Sequence, residues 1–238
     1  MNLKYKRILL KLSGEILGGP SGVGYDPETL NSIVSQIKAV HELGVEIGIV
    51  VGGGNIFRGI YSESLGMQRQ AGDYIGMLAT VMNGLALENV LKRAGVETRV
   101  MSALEVRSVV EPYVLKIEAS QHSKGRVVIF TAGTGNPFFT TDTPAALRGI
   151  EMCADVILKA TKVDGVYSKD PKKYSDAVKF DKITFKEAID KQLQVMDLTA
   201  FTLCHENNLP IIIFNIREEG NILKIVKGEK VGSLIYNA

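Results

Sequence analysis

The sequence predicts an α/β protein, a three-layer sandwich whose mostly parallel central sheet carries helices on both faces. Short β-branched apolar runs recur along the 238 residues and are apolar at consecutive positions, as in strands buried on both faces. Helical apolar spacing fills the intervals, the alternation that joins parallel strands by crossover helices. Several runs end in glycine-rich loops, and open parallel sheets bind ligands beyond the carboxyl ends of their strands.

Arg7–Leu12 (RILLKL) reads as the first strand. Asp26 is placed to cap the first helix, with Pro27 at its first position. Leu30, Ile33, Val34 and Ile37 repeat at helical spacing, and Gly44 ends the pattern. Val45–Val51 is a strand broken only by Glu46 and Gly48. Asp73–Ala94 reads as a long helix closed by Gly95. Its Ile75, Met77, Leu78, Val81, Met82, Leu85, Leu87 and Val90 cover more than one face, so half of it is expected at a subunit interface. Glu97–Met101 is a short strand, Pro112–His122 a short helix and Arg126–Thr131 (RVVIFT) another strand. Thr143-Pro144 starts a helix that ends near Met152, and Val156–Ala160 follows as a strand. Thr184 and Glu187 form a capping box for the next helix. Ile211–Phe214 is a strand, Ile222–Val226 is helical, and the last strand lies near Ser233–Tyr236. Residues 168–182 (SKDPKKYSDAVKFDK) form the most polar stretch, a solvated loop on the first reading and a lid on the second.

Composition bounds the answer. Hydrophobic residues make up 45% and charged residues 23%, ordinary for a soluble globular chain, and residues 1–238 are expected to form a single domain. The formal charge of +2 comes without a basic stripe, so no direct nucleic-acid binding is expected. The apolar stretch near the N-terminus is broken by Lys11, and no apolar run approaches the ~20 residues of a membrane helix. Cys153 and Cys204, the 2 cysteines, sit in apolar stretches and read as small buried residues of a reducing compartment. A cytoplasmic location is expected.

The chemistry lies in the loops after the strands. These are Lys11-Leu12-Ser13-Gly14, then Gly52-Gly53-Gly54-Asn55, then the run from Ala132 to Asp142 (AGTGNPFFTTD). Glycine lets backbone N–H groups approach a ligand, and a helix start beyond the loop favours anions. Lys11, Arg58, Thr134, Thr140 and Thr141 add donors, so a polyanionic, phosphate-bearing ligand is expected. The P-loop and protein-kinase signatures are absent. Both G-x-G pairs lack the third glycine of a dinucleotide site. His41, His122 and His205 show neither triad nor metal spacing. Phosphoryl transfer needs positioning and positive charge rather than a nucleophilic side chain, and this set suits it.

KRILLKLSGE, GGGNIFRG, GDYIGMLATVMNGLAL, AGTGNPFFTTD, LKATKVDGVYSKDP and VMDLTAFTL, in that order, resemble the bacterial uridylate (UMP) kinase family of the amino acid kinase fold, from about Lys6 to the final strand. The resemblance implies transfer of the ATP γ-phosphate to UMP, giving UDP and ADP in pyrimidine nucleotide biosynthesis. It also implies Mg²⁺, a homohexamer, and GTP and UTP as allosteric effectors. Lys11 and Arg58 are the catalytic candidates. Lys11, Leu12, Ser13, Gly14, Gly54 and Arg58 are expected at the ATP phosphates, and Thr161, Tyr167 and Asp170 at the adenosine end. Gly53 is expected to touch UMP and Asp73 its ribose, with Thr134, Gly135, Asn136 and Pro137, then Phe138, Phe139, Thr140 and Thr141, wrapping the uridylate. Gly19, Pro20, Ser21, Gly22, Val23 and Gly24 match the segment linked to the GTP response. Glu88, Lys92, Arg93 and Arg99 fall where some members receive GTP through basic residues, and Glu88 departs from that pattern. No side-chain metal ligands are expected; Mg²⁺ would ride on the phosphates.

Plainer readings compete at single positions. Lys11 could snorkel from a strand end. Asp73, at the expected helix start, and Asp142, before Thr143-Pro144, read as caps, with a catalytic or metal-orienting role for Asp142 second. Lys159 and Lys162, flanking a strand end, read as surface lysines first and as phosphate-neutralising cations second, Phe138 and Phe139 as pocket wall and core, and the histidines as structural or solvent-exposed. The alternative function is a kinase of the same fold acting on a small carboxylate or carbamate. A monophosphate acceptor brings about two negative charges, which GTGNPFFTT and Arg58 would meet. A non-catalytic nucleotide sensor is the rival from another class.

Overall fold

The computed structural model describes residues 3–171, 173–193 and 195–238, without the side chains of residues 60, 61 and 63. Strand β1 (Arg7–Leu12) leads into a one-turn helix, α1 (Gly14–Leu17), and then α2 (Pro27–His41). Asp26 caps α2 by accepting the Thr29 N–H at 2.8 Å, as its place before Pro27 predicts. Strand β2 (Glu46–Val51), α3 (Gly59–Ser64), α4 (Arg69–Arg93) and β3 (Thr98–Ser102) follow. Next come β4 (Glu111–Pro112), α5 (Leu115–Ser123), β5 (Val127–Thr131), α6 (Asp142–Glu151) and β6 (Val156–Thr161). A hairpin of β7 (Val166–Tyr167) and β8 (Lys179–Phe180) precedes β9 (Lys182–Thr184), α7 (Phe185–Asp190) and α8 (Leu198–Glu206). The chain ends through β10 (Ile211–Asn215), α9 (Asn221–Val226) and β11 (Ser233–Tyr236).

The main sheet has nine strands in the order β4-β3-β5-β2-β1-β6-β10-β11-β9, parallel throughout except where β11 runs against β10. Alternation along β1 sorts the core. Ile8, Leu10 and Leu12 face α2, α4 and α9, whereas Leu9 faces α6, α7 and α8. Lys11 shares the face of Leu9, and that parity sets up the site.

Several expectations are corrected. The helix expected over 112–122 is present but starts at Leu115, because Glu111–Pro112 pairs with β3. Helix α4 begins at Arg69, so Asp73 lies in its second turn and is not its cap. Cys153 is exposed, at φ 53° in the turn after α6, and only Cys204 is buried. Phe138 and Phe139 are 59% and 48% exposed, so neither is core. The histidines are structural or solvent-exposed as expected: His122 is buried beside Glu118, 2.8 Å away, while His41 and His205 lie toward the surface on Gly125 and Asn237. The polar stretch 168–182 is not an open loop: Ser168 donates to the Val178 carbonyl, Lys169 pairs with Asp176, and β8 falls within it, with residue 172 outside the described residues. Helices α3 and α8 lacked a sequence signal strong enough to place them.

By length and composition alone α4 is apolar enough to cross a bilayer. Its inward face is occupied in the fold: Met77, Val81, Leu87 and Leu91 pack into the core. The opposite face leaves Tyr74, Leu78 and Met82 exposed at successive helical turns, the two-sided pattern read from the sequence.

Candidate active site

Strand order builds the site. Strand β1 lies between β2 and β6, so the Lys11–Gly14 loop separates the loops after β2 and β5 from those after β6 and β10. A cleft opens on each side of it. The first, of about 490 Å³, is walled by the glycine loop (Gly53, Gly54), Arg58, the α4 residues Asp73, Met77 and Thr80, and the loop after β5. The second, of about 590 Å³, is walled by Lys159, Thr161, Tyr167 and Asp170 and, opposite them, Leu193 and Val195.

Close packing explains the glycines. A Cβ on Gly14 would lie 2.5 Å from Asn55 Oδ1 and 2.6 Å from the Gly54 nitrogen; one on Gly53 would lie 2.7 Å from the Gly76 carbonyl oxygen. The first two loops and α4 are therefore pressed together at backbone distance, a reason beyond the ligand approach expected from sequence. The third loop is pinned differently. The Ala132 N–H donates to Thr80 Oγ1 at 2.7 Å, and the Phe138 N–H donates to Asp73 Oδ2 at 2.8 Å. Ala132 (φ 60°) and Phe138 (φ 74°) adopt the left-handed conformation, which costs a non-glycine residue of order 1 kcal/mol and marks a constrained loop.

Between the clefts lies a buried charge cluster. Lys11 and Lys159 are direct partners in the β1–β6 register, so both project onto the α6 face. Asp142, at the first turn of α6, receives them: Lys11 Nζ is 2.7 Å from Oδ1 and Lys159 Nζ 2.7 Å from Oδ2. Lys11 holds Oδ1 chiefly by charge, and Lys159 donates a hydrogen bond to Oδ2. Burial pushes the Asp142 carboxyl up, but the two ammonium groups outweigh it and hold it below the ordinary range. Burial, reinforced by Lys11, draws the Lys159 ammonium below its ordinary value despite Asp142. Asp142 is thus the shared counter-ion of two lysines rather than a cap, and Lys159 is no surface lysine. Lys159 also donates to the Val195 carbonyl at 2.6 Å.

Arg58 stands at the first cleft. Its Nε donates to the Gly54 carbonyl at 3.1 Å, its Nη2 reaches the Gly22 carbonyl at 3.5 Å, and Glu15 Oε1 lies 3.4 Å away. The other Glu15 oxygen is 3.6 Å from Lys162, so a single carboxylate gathers two half-exposed cations at the mouth of the site. Asp197 caps α8 through the Ala200 N–H and also accepts from the hydroxyls of Thr140 and Thr143. It fastens the third loop to the second-cleft side.

The expected site residues fall into clear places. Gly53, Gly54, Arg58 and Asp73 line the first cleft together with Thr134, Asn136, Phe139, Thr140 and Thr141. Gly54 and Arg58, expected at ATP, therefore stand on the same side as the expected UMP residues. Thr161, Tyr167 and Asp170 line the second cleft, and Tyr167 donates to Asp164 at 2.6 Å. Lys11, Ser13 and Gly14 lie between. Leu12 buries its side chain in the core and offers only backbone, its carbonyl taken by the Gly52 N–H. Phe138 turns outward beneath the Arg69 guanidinium, 5.3 Å from its ring centre. Gly135 is spent on the loop turn (φ 80°), and Pro137 lines neither cleft. In the segment 19–24, Gly19 and Pro20 border a separate surface cleft beside Glu28 and Arg217. Gly24 is tied to Asn55 by the bond from its N–H to the Asn55 carbonyl.

Sequence reasoning ranked Lys159 as a surface lysine and did not single out Thr80, Asn83 or Asp197. A signal existed for Lys159: like Lys11, it interrupts a buried strand, and a buried ammonium needs a partner. Thr80, Asn83 and Asp197 carried no such mark.

The comparisons agree with this architecture. The family model for the amino acid kinase family matches residues 6–215. The fold is similar to UMP kinase from Bacillus anthracis, with 41% identity and a TM-score of 0.96 over 98% of this chain and 96% of that one. UMP kinase from Ureaplasma parvum is 38% identical, with a TM-score of 0.93 over 98% and 100% of the two chains. Uridylate kinase from Archaeoglobus fulgidus is 30% identical, with a TM-score of 0.74 over 96% and 99%. The chain belongs to the amino acid kinase family and, within it, stands with the bacterial UMP kinases.

Proposed function

We infer that this protein is a UMP kinase, a phosphotransferase that moves the γ-phosphoryl group of ATP to UMP and yields UDP and ADP. The observation that carries the reading is the pair of clefts meeting at one buried cluster of two lysines and an aspartate. UMP occupies the first cleft, its phosphate toward Arg58 and the Gly53–Gly54 amides. ATP occupies the second, its adenosine against Tyr167 and its phosphates toward Lys11 and Lys159. An oxygen of the UMP phosphate attacks the γ-phosphorus; that P–O bond forms as the bond to the β-phosphate oxygen breaks, and the electron pair leaves with ADP. The attacking oxygen is already ionised at neutral pH, so no general base is required. Lys11, Lys159 and Arg58 offset the charge that spreads over the transferring group. Asp142 holds one ammonium group on each of its oxygens and so aims them. A small carboxylate acceptor is not favoured by the likeness to UMP kinases.

Mg²⁺ enters as part of the MgATP substrate. Among the described residues no three His, Cys, Asp or Glu side chains gather as a metal site, and Asp142 and Glu15 are engaged by cations. Bound to phosphate oxygens, the ion neutralises part of their charge. The exposed Tyr74, Leu78 and Met82 stripe of α4 supports self-association, and we take the assembly to be a hexamer acting in the cytoplasm. GTP and UTP are taken as effectors. Lys92 and Arg99, in the region expected to receive GTP, are paired with Glu88 and Glu111.

Incubation with MgATP and each of UMP, CMP, AMP, dTMP, glutamate and aspartate, followed by ADP release, tests the reading. UMP alone should drive turnover; a stronger response to another acceptor overturns it. A GTP titration of the same assay that leaves rate and UMP affinity unchanged removes the effector proposal. A monomer in light scattering removes the oligomer.

A further inference from the structure

The glycine loop after β2 is held from below by a paired amide. Asn83, wholly buried on the inward face of α4, donates from Nδ2 to the Gly52 carbonyl and to Asn55 Oδ1, both at 2.7 Å. Asn55 returns a bond from its Nδ2 to Asn83 Oδ1 at 3.1 Å and gives its second proton to the Gly24 carbonyl at 2.8 Å. Both amide groups thus use both N–H protons. The position borders the core: Val81 and Leu87 are among its apolar neighbours along the helix. A leucine there would fill similar space but would leave the Gly52 carbonyl and the buried Asn55 amide without their partners, so the asparagine serves those bonds rather than the packing.

What the pair holds is the phosphate-facing backbone. Fixing the Gly52 carbonyl inward sets the direction of the next peptides, whose glycines border the first cleft. The Gly54 carbonyl in turn accepts from Arg58 Nε, and Gly22, two residues from the Asn55-bound Gly24, accepts from Arg58 Nη2. Asn83 lies one helical turn beyond Thr80, which pins the third loop, and Asp73, which pins Phe138, lies further along the same helix. We propose that the Asn83–Asn55 amide pair is a positioning unit for phosphoryl transfer, locking the Gly52–Gly54 backbone and the Arg58 guanidinium in the alignment the reaction needs. Neither asparagine touches substrate in this role, and the proposal rests on the reading of the first cleft as the UMP site.

A double-mutant cycle tests it. Asn83→Leu, Asn55→Leu and the double variant are assayed at saturating UMP and MgATP, with thermal unfolding and calorimetric binding of each nucleotide alongside. If the pair acts as a unit, each single variant loses about 10–100-fold in kcat, as small misplacements of reacting groups do. The double variant is then no worse than the poorer single, and nucleotide affinity stays within about 3-fold. Asn83→Asp sets a carboxylate against two acceptors until it is protonated, so its kcat relative to wild type should rise as pH falls. Asn83→Ser keeps one donor for the Gly52 carbonyl and serves if the leucine variant does not fold; it should fall between wild type and Asn83→Asp. A folded Asn83 variant with kcat within about 2-fold of wild type, or losses that multiply in the double variant, overturns the proposal. Wild-type protein run beside the variants separates the two ideas: no turnover of UMP refutes the function, whereas full turnover in the variants refutes only the positioning role.

Discussion

Lys11 lies directly opposite Lys159 in the β1–β6 ladder, and both ammonium groups close on the single carboxylate of Asp142. Parallel pairing places the two cations side by side on one face, and only an anion delivered by the next layer makes that arrangement tolerable. Helix α6 delivers it. Removing the anion leaves two buried charges without their shared counter-ion, though Asp197 still acts on Lys159. Asp142→Asn is therefore expected to lose about 3–5 kcal/mol of stability, the usual result of breaking a buried ion pair from one side. Its kcat should fall by about 10²-fold as the lysines lose their aim. Chemical denaturation and steady-state kinetics measure the two effects; a variant as stable and as fast as wild type refutes the role.

The same cluster dictates a pH dependence. The folded-state value of the Asp142 carboxyl lies below its ordinary 3.8, so its contribution to stability is fully present above 3.8 and is lost as pH falls through the lower folded value. The stability gap between wild type and Asp142→Asn should close in that acid range. On the alkaline side, Lys159 loses its proton below the ordinary 10.5. The kcat profile should begin to fall before that pH, and a profile flat to 10.5 contradicts the assignment.

Arg58 is held by backbone carbonyls of two loops and faced by Glu15. Arg58→Ala should lower kcat by about 10²-fold or more if the guanidinium meets the transferring group. Arg58→Lys should recover little, because a point charge lacks the planar fork. An unchanged kcat in the alanine variant moves Arg58 out of the reaction.

The two thiols differ in exposure. Cys153 lies open in the turn after α6, whereas burial pushes the Cys204 thiol up to about 12. Native protein should react with a thiol reagent at Cys153 alone, and Cys204 should appear only on unfolding. Mass spectrometry of the labelled peptides decides the matter.

Much of the fold was legible because two physical periods write themselves into sequence. Continuous apolar runs marked the buried strands, and helical spacing marked α2 and α4. Cap chemistry placed Asp26 and the Thr184–Glu187 box correctly. The short helices α3 and α8 were missed because a few turns carry too little pattern. The helix expected from Pro112 starts three residues later, at Leu115, because Pro112 gains its strand conformation from pairing with β3 and not from its own preference. The glycine loops, Lys11 and Arg58 stand out as residue types beyond the strand ends, whereas Tyr167 entered only through the family resemblance.

The sequence by itself determined the layers, the strand faces and the loops at their tips, since each follows from local periodicity and turn chemistry. Tertiary structure alone decided that β1 runs between β2 and β6, and with it which loops share a cleft. It made Asp142 a counter-ion and Lys159 its partner, and it set Asn83 beneath the glycine loop. Those roles depend on contacts between residues far apart in the chain, and such contacts exist only once the sheet is ordered and the helices have packed against it.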